Sequence, residues 1–206
     1  ISDSNNTPLF KIDFCSNLKW INDEETFHHT KMLDHEGNIW AGGYLMPHSK
    51  YVKQYQILKN FRDYAIIKIN SDGKILYKKS IIEIVIENEI FPDNIALPSA
   101  SSSYTSLLYT NEVEPALSDS EYWKKGDVFL SIRNHSAIIH YRPRTNKVIN
   151  YITGPFAEQH DVDIISEKEI SIFNNNNFIV DSEYSEVVIY NFETKKFRTL
   201  FNEQLQ

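Results

Sequence analysis

The stretch AIIHYRPRTNKVI, from Ala137 to Ile149, decides the fold class. It begins with a short apolar run, passes through a polar turn and a lysine, and ends with a second apolar run. Two such runs on either side of turn-forming residues are typical of a β-hairpin. The same plan occurs in AIIKINSDGKIL from Ala65 and in EVVIYNFETKKFRTL from Glu186, and a partial copy, LFKIDFCSNLKWI, begins at Leu9.

A second strand pair precedes each full hairpin. It is FHHTKMLDHEGNIWAGG from Phe27, then residues 109–134, then QHDVDIISEKEISIFNN from Gln159. Each copy has a polar start, an alternating strand, an acidic or glycine turn and another strand. Two strand pairs make four antiparallel strands, and the 49 residues from Asn111 to His160 match the repeat length of about 40 to 50 residues in propeller blades.

The sequence therefore predicts an all-β protein, a β-propeller of four-stranded antiparallel blades. A β-sandwich is the alternative. Closed propellers have about four to eight blades, whereas this chain supplies three full blades and part of a fourth. We therefore expect part of a longer propeller, and the alternative is closure with few blades or through association into an oligomer. The predicted division of this one domain, 1–206, is as follows: 9–26 the end of a preceding blade, 27–108 a blade with insertions at 44–62 and 82–108, 109–156 a blade, and 157–206 a blade and tail.

Three segments have individual predictions. The Ser-rich PSASSSYTS, from Pro98, is predicted as an exposed loop. SIIEIVIENEIF, from Ser80, is predicted as either a short helix or a strand, because periodicity does not decide between them. NDEE, from Asn22, is predicted as a solvated linker between blades.

Composition excludes several classes of protein. The chain is 41% hydrophobic and 24% charged, which is typical of a soluble folded protein. A net charge of −7 argues against a nucleic-acid partner, and no apolar run is long enough to span a membrane. Cys15 is the single cysteine, so no intrachain disulfide is expected. The start ISDSNNTP lacks an initiator Met and a signal peptide, so we expect a processed or excised piece.

One position recurs at the start of each repeat. Superposing the alternating strands places His29, Asn111 and His160 at the same point, the beginning of the first strand, which lines the central channel of propellers. Arg133 ends the second strand of the middle repeat, within reach of the same mouth. A neutral imidazole is a competent nucleophile at pH 7, and a guanidinium offers a fork of donors to an oxyanion. The sequence therefore predicts a channel site built from these four residues.

Structural alternatives remain open for the same residues. His160 is as readily a hydrogen-bonding residue at a strand start as a nucleophile. Arg133 is as readily the partner of a strand acid such as Glu112 or Glu114. Zinc is disfavoured because no histidine pair has a tight ligand spacing, so neither a metal nor a cofactor is predicted. The remaining histidines are predicted to lie on the surface or in loops: His35, His48, His135 and His140.

The motifs resemble those of a known family. HH followed by a D-x-x-G-N turn, NEVEPAL leading into WKKGDVFLSIRN, and QHDVDII leading into ISIFNNN are similar to the arylsulfotransferase-like β-propellers. The resemblance extends from Leu9 to Leu200. It implies a six-bladed propeller that moves a sulfuryl group from an aryl sulfate ester to a phenol through a sulfohistidine, without the nucleotide sulfate donor. The compartment is unknown from the residues, and the resemblance alone suggests an extracytoplasmic or membrane-anchored parent.

The resemblance also implies residue roles. His160 matches the histidine nucleophile, and His29, or its neighbour His28, matches an earlier channel histidine. Arg133 matches the arginine that binds sulfate, and Asn111 matches the asparagine of a His-x-Asn pair. Tyr109 stands where the histidine of that pair is expected. This departure favours the alternative function, a non-catalytic propeller that binds or scaffolds. The predicted partners are anionic aryl sulfates and phenols.

Overall fold

The computed structural model describes residues 7–54, 62–90, 108–176 and 185–200. Within these residues, thirteen strands form three antiparallel sheets, which confirms the all-β prediction. The chain divides into two compact units, Ile1–Leu108 and Tyr109–Gln206.

The first unit contains one five-stranded sheet with sequential strand order. Its elements are β1 Thr7–Ile12, β2 Leu18–Leu33, β3 Ile39–Tyr44, α1 Lys50–Gln54, β4 Tyr64–Ile69, β5 Ile75–Ser80 and α2 Ile81–Glu87. The ambiguous SIIEIVIENEIF segment thus contains a short helix, α2. The segment PSASSSYTS lies outside the described residues.

The second unit contains two four-stranded sheets, each again in sequential order. The first has β6 Thr110–Pro115, β7 Val128–Ile132, β8 Ala137–Arg142 and β9 Lys147–Thr153. The second has β10 Val162–Ile164, β11 Glu169–Asn174, β12 Glu186–Asn191 and β13 Lys196–Leu200. Two short 3-10 turns, Arg133–His135 and Pro143–Thr145, join the strands of the middle hairpins. The predicted hairpins are thus confirmed in all three sheets.

The long strand β2 has two partners in succession. Its first half pairs with β1, with Ile21 opposite Phe10. Its second half pairs with β3, starting with Thr26 opposite Tyr44. Phe27 pairs with both neighbours, opposite Thr7 of β1 and Gly43 of β3.

The NDEE segment is not a solvated linker, and that prediction was wrong. It lies inside β2, where Asn22 and Glu25 are buried. The Asn22 side-chain amide donates to the carbonyl of Gly73 at 2.7 Å, and the Glu25 carboxylate pairs with Lys78. Both partners come from β5 or the turn before it, so the β4–β5 hairpin satisfies the polar groups that sequence alone suggests are exposed.

The core of the second unit lies between its two sheets. Phe129 and Ile138 from one sheet pack with Val162, Ile172 and Val188 from the other, and all five are fully buried. Burying one such side chain contributes about 1.5 to 3 kcal/mol. This shared core holds the two sheets face to face, with β10 beside β6.

His140 is buried, so its predicted surface or loop position was wrong. It lies in β8 with no exposed area. Its Nε2 is 2.9 Å from Asp127 Oδ2, and its Nδ1 is 3.0 Å from the amide nitrogen of Asn150. Arg142 donates twice to the same Asp127 carboxylate, at 2.7 Å each. A buried carboxylate that accepts these bonds makes a polar side chain compatible with the core.

Candidate functional site

Two of the predicted channel residues, His29 and Asn111, lie at irregularities of strand pairing. His29 falls in a register shift of β2, between His28 opposite Gly42 and Lys31 opposite Ala41, and has φ +52°. Irregular pairing of this kind re-aims a side chain relative to a regular strand.

The same irregularity recurs in the second unit. Asn111 falls in a register shift of β6, between Thr110 and Glu112. His160 lies just before β10, and its backbone N–H donates to the carbonyl of Phe173 at 3.0 Å. His29 and Asn111 thus share a shift of register in their strands, whereas His160 precedes a strand of regular register.

Tyr109, Asn111, Arg133 and His160 all belong to the second unit. The Arg133 backbone N–H donates to the Tyr109 carbonyl at 2.8 Å. The Arg133 guanidinium lies over the Tyr109 ring, 5.9 Å from its centroid. The His160 side chain is exposed. A phenol ring, a guanidinium and an accessible imidazole therefore lie at neighbouring strand ends.

Glu158 is an acidic neighbour that sequence reasoning missed. Its carboxylate pairs with Arg133 Nη2, and both side chains are partly buried. Glu158 adopts the left-handed φ of +50°. The ion-pair alternative for Arg133 is therefore present, with Glu158 as the partner rather than Glu112 or Glu114. The signal in the sequence was an acid two residues before His160, in AEQH.

The environment of His160 favours its neutral form. Partial removal of water from the ring, followed by the positive charge of Arg133, lowers the pKa of the His160 imidazole, and the negative charge of Glu158 opposes this. A histidine with a lowered pKa has one unprotonated ring nitrogen at neutral pH. Chemically, this imidazole is suited to attack an electrophile.

Asn111 is buried and bonds to backbone. Its side-chain amide nitrogen donates to the carbonyl of Gln159 at 2.8 Å. Its Oδ1 is buried without a hydrogen-bond partner in the described part of the chain. One amide hydrogen and one oxygen of Asn111 are therefore not committed to that contact.

Glu114 is a buried acid that the sequence analysis did not single out as a titrating group. Burial, then the charge of Asp163, raises the pKa of the Glu114 carboxyl to about 7, and a hydrogen bond from the Ile164 backbone N–H opposes this. Glu114 lies on β6 and Asp163 on β10, so two adjacent first strands bring the carboxyls together. The half-protonated Glu114 can exchange a proton near neutral pH.

The first unit carries the two adjacent histidines. The rings of His28 and His29 stack with centroids 3.7 Å apart. His28 is buried, with 4% exposure, and its ring lies 5.3 Å from the ring of Tyr44 and 5.9 Å from that of Tyr64. Burial, followed by the charges of His29, Lys31 and Arg62, lowers the pKa of His28 to about 3.

Donor groups surround these histidines. Arg62 Nη1 donates to the Tyr44 hydroxyl at 3.4 Å, and that hydroxyl donates to the Tyr64 hydroxyl at 3.3 Å. Lys31 donates to the His29 carbonyl, and burial lowers the Lys31 pKa. Cationic groups and phenol hydroxyls in one place suit an anion. Arg62, Tyr64 and Lys31 were not singled out from the sequence.

A metal-binding cluster and a membrane-spanning helix are both absent from the described residues. These residues contain no group of three His, Cys, Asp or Glu side chains arranged to hold a metal ion. No helix among them combines the length and the apolar character that crossing a membrane requires.

The fold and the strand-start residues together define an all-β protein of repeated antiparallel sheets. The family model for arylsulfotransferase (ASST) matches residues 1–205, so the chain belongs to this family. A crystal structure of a protein of unknown function from Bacteroides caccae is similar in fold, with a TM-score of 0.55 at 11% sequence identity. The match covers 96% of this chain and 55% of that protein. No curated protein matches the chain significantly.

Proposed function

We propose that the three sheets are blades of a six-bladed β-propeller, and that the protein transfers a sulfuryl group from an aryl sulfate ester to a phenol. The observation that supports this proposal most is the exposed imidazole of His160, whose pKa is lowered beside the Arg133 guanidinium. The chain's membership of the arylsulfotransferase family supports the same chemistry.

In this proposal His160 is the nucleophile. Its neutral nitrogen attacks sulfur, the S–N bond forms, and the S–O bond to the aryl group breaks to release a phenolate. An acid–base group, the role that the repeat alignment assigns to His29, gives its proton to that phenolate and later takes the proton of the incoming phenol, whose oxygen then attacks sulfur and frees His160. The scheme predicts two successive displacements and ping-pong kinetics.

The other predicted residues hold the substrate. Arg133 stabilises negative charge on the sulfuryl oxygens, since charge stabilisation and positioning dominate transfers of this type. Asn111 offers its remaining amide hydrogen to the same oxygens. Tyr109 contacts the aryl ester, and the family resemblance assigns His28 as a further substrate-binding residue. The anion must compete with the Glu158 carboxylate for the Arg133 fork.

A second candidate function rests on that ion pair. Glu158 already neutralises Arg133, and Tyr109 replaces an expected histidine. Both features favour a non-catalytic propeller that binds or scaffolds.

Intact-mass measurement distinguishes the two candidates. The protein is incubated with 4-nitrophenyl sulfate, with and without phenol, and nitrophenol release is followed in parallel. We expect a gain of one sulfuryl group that phenol removes and that the His160→Ala variant lacks, while the control His35→Ala, at an exposed histidine, retains it. If the full-length protein shows neither the adduct nor nitrophenol release, the second candidate, a non-catalytic binding module, is supported.

A further inference from the structure

Gln159 holds the peptide that leads into His160. Its backbone carbonyl accepts hydrogen bonds from Asn111 Nδ2 at 2.8 Å and from Ser131 Oγ at 3.5 Å. The residue has no exposed area. The peptide between Gln159 and His160 is therefore fixed by side chains of the neighbouring sheet.

The side chain of Gln159 also bonds to the neighbouring sheet. Its Nε2 donates to Ser131 Oγ at 3.2 Å and to the Ala137 carbonyl at 3.0 Å. Ser131 belongs to β7, and Ala137 begins β8. With Asn111 on β6, one residue joins the start of β10 to three strands of the other sheet.

These strands also carry the arginine of the candidate site. Ser131 precedes Arg133 by two residues at the end of β7. On the other side, the His160 backbone N–H is held by its own sheet, through the bond of 3.0 Å to the Phe173 carbonyl. The bonds of Gln159 therefore join the segment that carries the imidazole to the strands beside the guanidinium.

We propose that Gln159 is a positioning residue, which fixes the His160 imidazole relative to Arg133 through its contacts with Ser131, Ala137 and Asn111. The effect of Gln159 on catalysis rests on the proposed sulfuryl transfer. Its positioning of His160 does not depend on that proposal. Small displacements of a reacting group are costly, since an error of about 1 Å slows a reaction by about 100-fold. Gln159 acts through His160 and does not touch the reacting atoms.

The test replaces Gln159 by methionine, which keeps the side-chain length and removes the amide. Imidazole carbon–proton NMR on the 206-residue chain follows the titration of His160, assigned with His160→Gln. In the parent, loss of water and the Arg133 charge lower the His160 pKa. In Gln159→Met we expect this pKa to move toward its ordinary value, because the imidazole is no longer held beside the guanidinium.

The control removes a partly buried hydrogen bond elsewhere. Tyr141→Phe deletes the bond of 2.8 Å from the Tyr141 hydroxyl to Asn146 Oδ1, at the opposite end of β8 from Ala137. It should lower stability without moving the His160 titration. If Gln159→Met loses stability but His160 titrates as in the unsubstituted protein, then Gln159 has only a structural role and the proposal is overturned.

Two further measurements keep the outcomes distinct. Ser131→Ala removes one partner of Gln159 and should shift the His160 titration in the same direction by less, so it tests the positioning role even if Gln159→Met does not fold. Sulfuryl labelling of His160 should slow by about 10-fold to 100-fold in Gln159→Met. If the protein without any substitution is not labelled, the sulfuryl-transfer proposal fails. The NMR titrations still decide whether Gln159 positions His160.

Discussion

Replacing Glu114 by glutamine separates the charge of this residue from its shape. The variant keeps the side-chain length and an oxygen that accepts from the Ile164 backbone N–H. In the parent, burial and Asp163 raise the pKa of Glu114 from 4.5 to about 7. The folded protein therefore binds this proton more tightly than the unfolded chain. The stabilisation from protonation is fully present below pH 4.5 and is lost as the pH rises through about 7.

The size of the effect follows from the same shift. One pKa unit corresponds to about 1.4 kcal/mol, so the parent should lose about 2 kcal/mol relative to Glu114→Gln between about pH 5 and pH 8. Urea unfolding at both pH values, followed by the fluorescence of the buried Trp123, measures this difference. Glu167→Gln, at an exposed glutamate of the same unit, is the control and should follow the parent. Parallel profiles of the parent and Glu114→Gln contradict the reasoning.

Two further predictions concern the first unit. The pKa of His28 in the folded protein is lowered to about 3, so the unfolded chain binds this proton more tightly, and the free energy of unfolding should fall as the pH drops from about 6.5 toward 3. In His28→Gln, the free energy of unfolding measured with urea should depend less on pH across this range. An unchanged pH dependence contradicts the assignment. Gly73 has φ +84°, and an added Cβ lies 2.6 Å from the Trp20 ring, whereas Gly37 has φ +77° with open space around it. Gly73→Ala should therefore lower the melting temperature more than Gly37→Ala, with a free-energy cost above about 1 kcal/mol, and equal losses contradict the steric argument.

The hairpins were predictable because their signals are local. The turn of the β8–β9 hairpin lies between two β-branched runs that are adjacent in sequence, as in the copies from Ala65 and Glu186. The α2 segment was not decidable, because a short apolar run suits a helix and a strand equally. Whether this segment is helical depends on which neighbouring parts of the fold cover Ile81 and Ile84, both of which are buried.

For the candidate site, the sequence offers a hypothesis about the residue types and says less about their contacts. The alignment of His29, Asn111 and His160 came from repeat spacing. His29 and Asn111 lie at shifts of strand register, and His160 lies just before β10. The Arg133–Glu158 pair was not predictable, because it joins a strand end of one sheet to a residue before the next. Gln159 carried only the signal of a polar residue at a strand start.

Burial of polar groups was the least predictable feature. His140 and Asp127 are 13 residues apart and meet because β8 pairs with β7. Glu25 and Lys78 are 53 residues apart. Single polar residues give no sequence sign that a distant partner will satisfy them, so a surface position is the natural expectation.

The central claim is that His160 accepts a sulfuryl group, and mapping of that group tests it most directly. After reaction with 4-nitrophenyl sulfate, the protein is digested and its peptides are sequenced by mass spectrometry. We expect one added sulfuryl group on the peptide that contains His160, removed by phenol. A sulfuryl group on another residue, or none on the full-length protein, contradicts the claim.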